Sequence, residues 1–159
     1  MREKQIVKAK QRNEDLLAKA ETSLRSNDFK SAISYASELL TADAENIKAA
    51  EIVETSQSKL AQLAQQEYDD LMSNAQTLHF KNQWQQAIEL YQQALSIKYN
   101  QVTQTAINDC YNNLYLQKAQ NARKLNNLKL AIGYYSKALQ YEDSQDTRDS
   151  ISEISSLLE

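Results

Sequence analysis

The only histidine in this 159-residue sequence is His79 and the only cysteine is Cys110. A hydrolase or transferase needs acid, base and nucleophile converging on one point, and a single imidazole with no Gly-rich phosphate loop cannot supply that set. Cys110 has Asp109 and Tyr111 as neighbours, neither of which lowers a thiol pKa, so a small buried hydrophobe is expected there. One cysteine also excludes an internal disulfide and a multi-thiolate metal site. The carboxylate pairs Asp69-Asp70 and Glu142-Asp143 suit solvated faces and helix ends rather than acid–base catalysis. No enzyme activity, cofactor or metal is expected.

Lys118, Arg123, Lys124, Lys129 and Lys137, with Tyr134 and Tyr135, are the one grouping that resembles a phosphate-backbone surface. Their spacing is that of a solvated helical face, and the net charge is −3 with a pI near 5.3. Nucleic acid is therefore not the expected partner.

The elements that must carry these residues follow from composition. One Gly and no Pro leave few sites for tight turns and sheet corners, which favours helices with short connections. No run approaches about 18 apolar residues, and the opening MREKQIVKAKQRNEDLL has charges but no apolar core of a signal peptide. No membrane insertion is expected. The compartment stays open, with the cytoplasm favoured, and a segment of a longer chain would read the same way.

Three stretches align without gaps: Asn27 to Leu40, Asn82 to Leu95 and Asn126 to Leu139. Each starts with Asn, has a bulky apolar third residue and Ala-Ile at the sixth and seventh places, and ends in Leu. Their apolar residues recur three or four apart, the signature of an amphipathic helix of about four turns. Upstream partners repeat the spacing: Leu16, Leu17, Ala20 and Leu24, then Leu71, Met72, Ala75 and Leu78, then Tyr115, Leu116, Ala119 and Ala122. The Asn between partners suits the left-handed residue that ends a helix. Ala20 facing Ala32, Ala75 facing Ala87 and Ala119 facing Ala131 would let paired backbones approach, and a larger side chain there should cost about 1–3 kcal/mol.

These residues resemble the tetratricopeptide repeat, a 34-residue helical hairpin with small and aromatic residues at set places. Those places carry Ala20, Phe29, Ala32, Ala36 and Leu39, then Ala75, Trp84, Ala87, Tyr91 and Ala94, then Ala119, Leu128, Ala131, Tyr135 and Ala138. The family's Pro after the second helix is replaced by Ala44, Tyr99 and Asp143, and its turn Gly by the three Asn. The resemblance implies an all-α, right-handed α-α superhelix of about seven helices. It would form a single domain over 1–159, with repeats at about 13–46, 68–101 and 112–145 and a C-terminal helix at 146–159. Trp84 takes a core place in it, and its loss would cost about 3–5 kcal/mol.

Family units follow every 34 residues, whereas these Asn are 55 and then 44 apart. The extra residues, about 47–67 and 101–111, keep helical apolar spacing without a breaker, so the first helices of copies two and three are lengthened. One of them would run about 54 Å at 1.5 Å per residue. The overhanging stripes, with Ile6 and Val7 at one end and Ile151, Ile154, Leu157 and Leu158 at the other, are expected to pack on each other as a second helical layer. The rival is pairing with a second copy through Ile52 and Leu60, giving a homodimer.

The resemblance also implies a concave groove for a segment of a partner protein. Its lining would be Glu14, Leu17, Glu21, Leu24, Asp69, Met72, Gln76, His79, Phe80, Asn113, Leu116, Gln120, Arg123 and Lys124. Family members that clamp a terminal carboxylate use Lys, Arg and Asn, but here those places carry Leu17, Glu21, Ser73, Asn113 and Gln117. The expected function is a protein-binding scaffold or adaptor without a carboxylate clamp, its apolar residues giving affinity and its amides register.

Overall fold

The computed structural model describes residues 2–158. It contains seven helices and, among the described residues, no strand: α1 (Arg2–Arg25), α2 (Phe29–Ala42), α3 (Ile47–Phe80), α4 (Trp84–Ile97), α5 (Gln101–Lys124), α6 (Leu128–Ala138) and α7 (Gln145–Ser156). Two compact units are formed, Met1–Gln65 and Gln66–Glu159, and α3 contributes residues to each.

Three hairpin turns share one construction. Asn27, Asn82 and Asn126 have φ of 60°, 60° and 55°, the left-handed region that Asn tolerates better than other side chains. The amide of each Asn donates three residues back, to Leu24, His79 and Arg123, and the next amide donates five back, to Ser23, Leu78 and Ala122, at 2.8–3.1 Å. This double closure satisfies carbonyls that a helix end leaves orphaned. The residue after each Asn stands at the N-cap position of the following helix. Asp28 accepts from the Ser31 amide at 3.2 Å and Asn127 from the Leu130 amide at 3.4 Å, whereas Gln83 makes no side-chain cap.

In the first unit, Leu16 and Ala20 of α1 meet Ala32, Ala36 and Leu39 of α2, joined by Ala49 and Ile52 from the start of α3. Ala20, Ala32 and Ala36 are completely buried, so close approach of the backbones is what the small residues provide. In the second unit, Ala75, Ala87, Ile88 and Tyr91 pack with Ile107 and Cys110 of α5. A further cluster gathers Ala119, Ala122, Ala131, Tyr135 and Ile154. Fully burying a side chain such as Leu39, Ile88 or Ile154 contributes about 1.5–3 kcal/mol of transfer free energy.

The extra residues are helical, as their spacing predicts, and α1 too is long at 24 residues, equal to α5, with α3 reaching 34. Several ends of these stripes do not bury. Ile6 and Val7 are 66% and 67% exposed, and Leu63, Val102, Leu157 and Leu158 are also exposed. The partner helices are short, 14 residues in α2 and α4, so a first helix outruns the surface on which its stripe could bury. Where the extra turns do pack, they enlarge the hairpin cores, as Ile52, Ile107 and Cys110 do. Trp84 packs partly buried against its cluster, whereas Phe29 at the matching place is buried. The C-terminal helix, expected at 146–159, is α7 over Gln145–Ser156, and Glu159 lies outside the described residues.

Candidate functional site

The expected groove residues fall in different surroundings. In the first unit, Leu17 and Leu24 are half-buried against the hairpin core, and Glu21 pairs with Arg25 one turn on at 3.4 Å. Glu14 is exposed on the same helix.

In the second unit, Met72 packs on the core and accepts a hydrogen bond at Sδ from the Thr103 hydroxyl at 3.4 Å. Asp69, Gln76, Gln120 and Lys124 are exposed, and Phe80 is 87% exposed. Leu116 is taken up by the third core cluster, and Arg123 is committed to Glu153 of α7 at 2.6 Å. That ion pair and hydrogen bond hold the guanidinium pKa above its ordinary value. Leu116, Met72 and Arg123 therefore serve packing and helix docking as much as any surface.

His79 and Asn113 are brought together through Asp109. The imidazole Nε2 lies 2.9 Å from Asp109 Oδ2, and Asn113 Nδ2 donates to Asp109 Oδ1 at 3.1 Å. His79 also stacks on Phe80, with centroids 6.3 Å apart, and meets the Tyr91 ring edge-on at 6.4 Å. The carboxylate is thus aimed by an imidazole from α3 and an amide from its own helix.

Asp109 and His79 stand in the wall of a hollow of about 640 Å³, whose other lining residues include Val102, Thr105, Ala106, Asn108, Tyr141 and Glu142. That volume lies in the range of small-ligand and side-chain pockets. Glu142 is held from behind by Asn112, whose Nδ2 donates to Glu142 Oε2. Asn112 is 4% exposed and its Oδ1 has no hydrogen-bond partner. The amide must present its NH2 to the carboxylate, and its carbonyl is left over. Tyr141 belongs to a stack of near-parallel rings: Tyr111 lies 4.8 Å from it and Tyr115 5.9 Å, and Tyr115 continues to Tyr134 at 6.3 Å. Burial, then the neighbouring Tyr115 and Tyr111, push the Tyr141 hydroxyl pKa above its usual value.

Sequence reasoning placed His79 at a binding surface but missed Val102, Asp109, Tyr141 and Glu142. In the sequence Asp109 stands out only as a neighbour of Cys110, and Glu142 only as a solvated end residue. The available signal was Val102, an apolar side chain in the first turn of a helix that outruns its partner, which the structure leaves 71% exposed. The tyrosine stack also explains part of the basic cluster, since Lys118 and Lys137 lie over the Tyr115 ring at 5.5 Å and Lys137 over Tyr134 at 6.0 Å. Tyr135 is core, as expected, but Tyr134 belongs to the partly exposed stack.

Among the described residues no three His, Cys, Asp or Glu side chains gather as a metal site, and no helix is long and apolar enough to cross a membrane. No family model matches the chain, and no curated protein is similar enough to it to count as a relative.

Proposed function

We propose that the chain is a tetratricopeptide-like scaffold, a right-handed superhelical stack of hairpins that binds a segment of another protein and performs no catalysis. The observation that carries this is the threefold recurrence of one hairpin. A left-handed Asn closes each turn, and completely buried Ala pairs, Ala20 with Ala32, Ala75 with Ala87 and Ala119 with Ala131, stand at matching places. Proteins built from such units use their exposed helix faces for recognition. The hollow beside His79, with Phe80 and Val102 projecting into solvent, is the partner-binding surface of the second unit.

The test is affinity capture from the native host with wild type and with the Phe80→Ala, Val102→Asp double variant. Both side chains are exposed, so helicity and melting should stay near wild type. A partner retained by wild type and lost by the variant is expected. An identical retained set, or none, would sink the proposal.

The exposure of Ile6, Val7 and Leu63 favours a second reading, a subunit that self-associates through its long first helices. Ile52, expected in that pairing surface, is instead buried in the hairpin core at 6% exposed, and a charge there would unfold the hairpin. Leu63→Glu is the suitable variant. Light scattering should show a wild-type dimer that this change dissociates, and a wild-type monomer at high concentration removes the reading.

A further inference from the structure

The hollow of the second unit has a chemistry of its own. Two carboxylates face it, Asp109 and Glu142, and its only basic group is His79, already turned to Asp109. Its apolar part is Val102, largely exposed, with Ala106 one turn further along α5. Tyr141 contributes an aromatic side chain to the wall. Behind Glu142, Asn112 is almost completely buried, with its amide turned to that carboxylate and its carbonyl oxygen unpartnered.

We propose that this hollow anchors an arginine side chain of the partner segment, next to an aliphatic residue that covers Val102. The argument rests on the binding role proposed above and names the partner chemistry for that surface. A guanidinium carries five donors in a planar fork, matching the two carboxylates that line the hollow. It stacks on an aromatic face such as Tyr141, where a compact ammonium gains less. An acidic segment would meet two like charges, and a purely apolar one would desolvate both carboxylates without bringing a positive charge. In an extended segment, residues two apart point to one side, so an aliphatic-x-Arg pattern reaches Val102 and the carboxylates together.

The experiment titrates the full 15N-labelled chain with the blocked tripeptide acetyl-Leu-Ala-Arg-amide, and with the same peptide carrying Gln or Glu in place of Arg. Expected are saturable shifts of the Thr105, Ala106, Asn108 and Glu142 amides, with the Gln peptide at least tenfold weaker and the Glu peptide silent. Asp109→Asn and Glu142→Gln should each weaken the Arg peptide about tenfold, with circular dichroism checking that each variant keeps its helices. If Glu142→Gln unfolds, Asp109→Asn alone decides. Equal binding of the Arg and Gln peptides overturns the proposal, as do shifts confined to other surfaces. So does a change at the same amides on raising chain concentration without peptide, which would make a second copy the occupant. A captured partner whose contact ignores Arg fails this inference alone, and Arg binding without any captured partner fails the scaffold role alone.

Discussion

The hydroxyl of Tyr68 lies 3.0 Å from the hydroxyl of Thr103, and both residues are buried, at 7% and 0% exposed. Tyr68 opens the repeat unit carried by α3 and Thr103 lies in the extra first turn of α5, so this bond ties the lengthened start of α5 to the preceding hairpin within the second unit. Removing one partner strands the other in an apolar surrounding, whereas removing both does not. Thr103→Val should therefore cost about 1–3 kcal/mol and Tyr68→Phe about 1 kcal/mol, since Thr103 keeps Met72 Sδ as an acceptor. The double variant should be less destabilised than the sum, by about 1 kcal/mol, in a urea-unfolding cycle. Strict additivity would show that the bond carries no coupling.

Gln83 stands where Asp28 and Asn127 cap their helices, yet makes no such bond. A shorter side chain with an oxygen one bond nearer the backbone reaches the amide three residues on. Gln83→Asp should raise stability by about 1 kcal/mol, read as a higher denaturation midpoint with an unchanged slope. The gain should be lost in acid. In the matching cap, hydrogen bonds from Ser31 hold the Asp28 carboxyl below 3.8, so stability from such a group is present above the unfolded value and disappears as pH falls through the folded one.

Asn82 holds φ at 60°, where a β-carbon crowds the backbone and only Gly escapes the cost. Asn82→Ala should lower stability by about 1 kcal/mol and Asn82→Gly should leave it within about 0.5 kcal/mol. Thermal melts of the pair decide this. Equal losses in both would mean that the Asn side chain, not the backbone conformation, stabilises the turn.

Cys110 and Tyr91 give the chain an alkaline limit. Burial, then Asp109, pushes the Cys110 thiol up to about 11 from 9.0. Burial, then Cys110 and Asp109, pushes Tyr91 up to about 12 from 10.0. Both folded values are raised, so above pH 9 the unfolded chain gives up protons that the folded chain retains, and stability falls as pH rises. Melting temperature should hold to about pH 8.5, then drop as pH rises toward 12. In Cys110→Ala the drop should begin about one pH unit higher, where only Tyr91 contributes. The same onset in both chains would remove Cys110 from the cause.

Helix content, the three turns and the buried Ala pairs are legible in the residues because each is a local matter. Apolar spacing sets a helix, Asn permits a left-handed turn, and Ala permits close approach. The fate of the overhangs is not local. The 102–110 stripe splits, with Val102 in solvent and Ile107 in the core, and what decides is how far α4 extends alongside, which spacing in α5 cannot show. The hollow is harder still. Glu142 lies in the turn after α6 and reaches Asn112 thirty residues earlier, so their meeting depends on how α5 and α6 dock. His79 was legible as a surface residue of a first helix, but its partner Asp109 belongs to the next one.

Helix pairs packed together include α1 with α2, α4 with α5, α5 with α6 and α6 with α7, all neighbours along the chain. Each closes through a connection of a few residues, so little chain entropy is lost before native contacts form. Such low sequence separation places refolding in the microsecond to millisecond range, far from the seconds that sheet topologies require. With no Pro in the sequence, no slow prolyl isomerisation delays any fraction of the molecules. Opening is equally sectional. A hairpin can fray and reclose while its neighbours persist, so amide exchange should grade along the chain instead of reporting one global event.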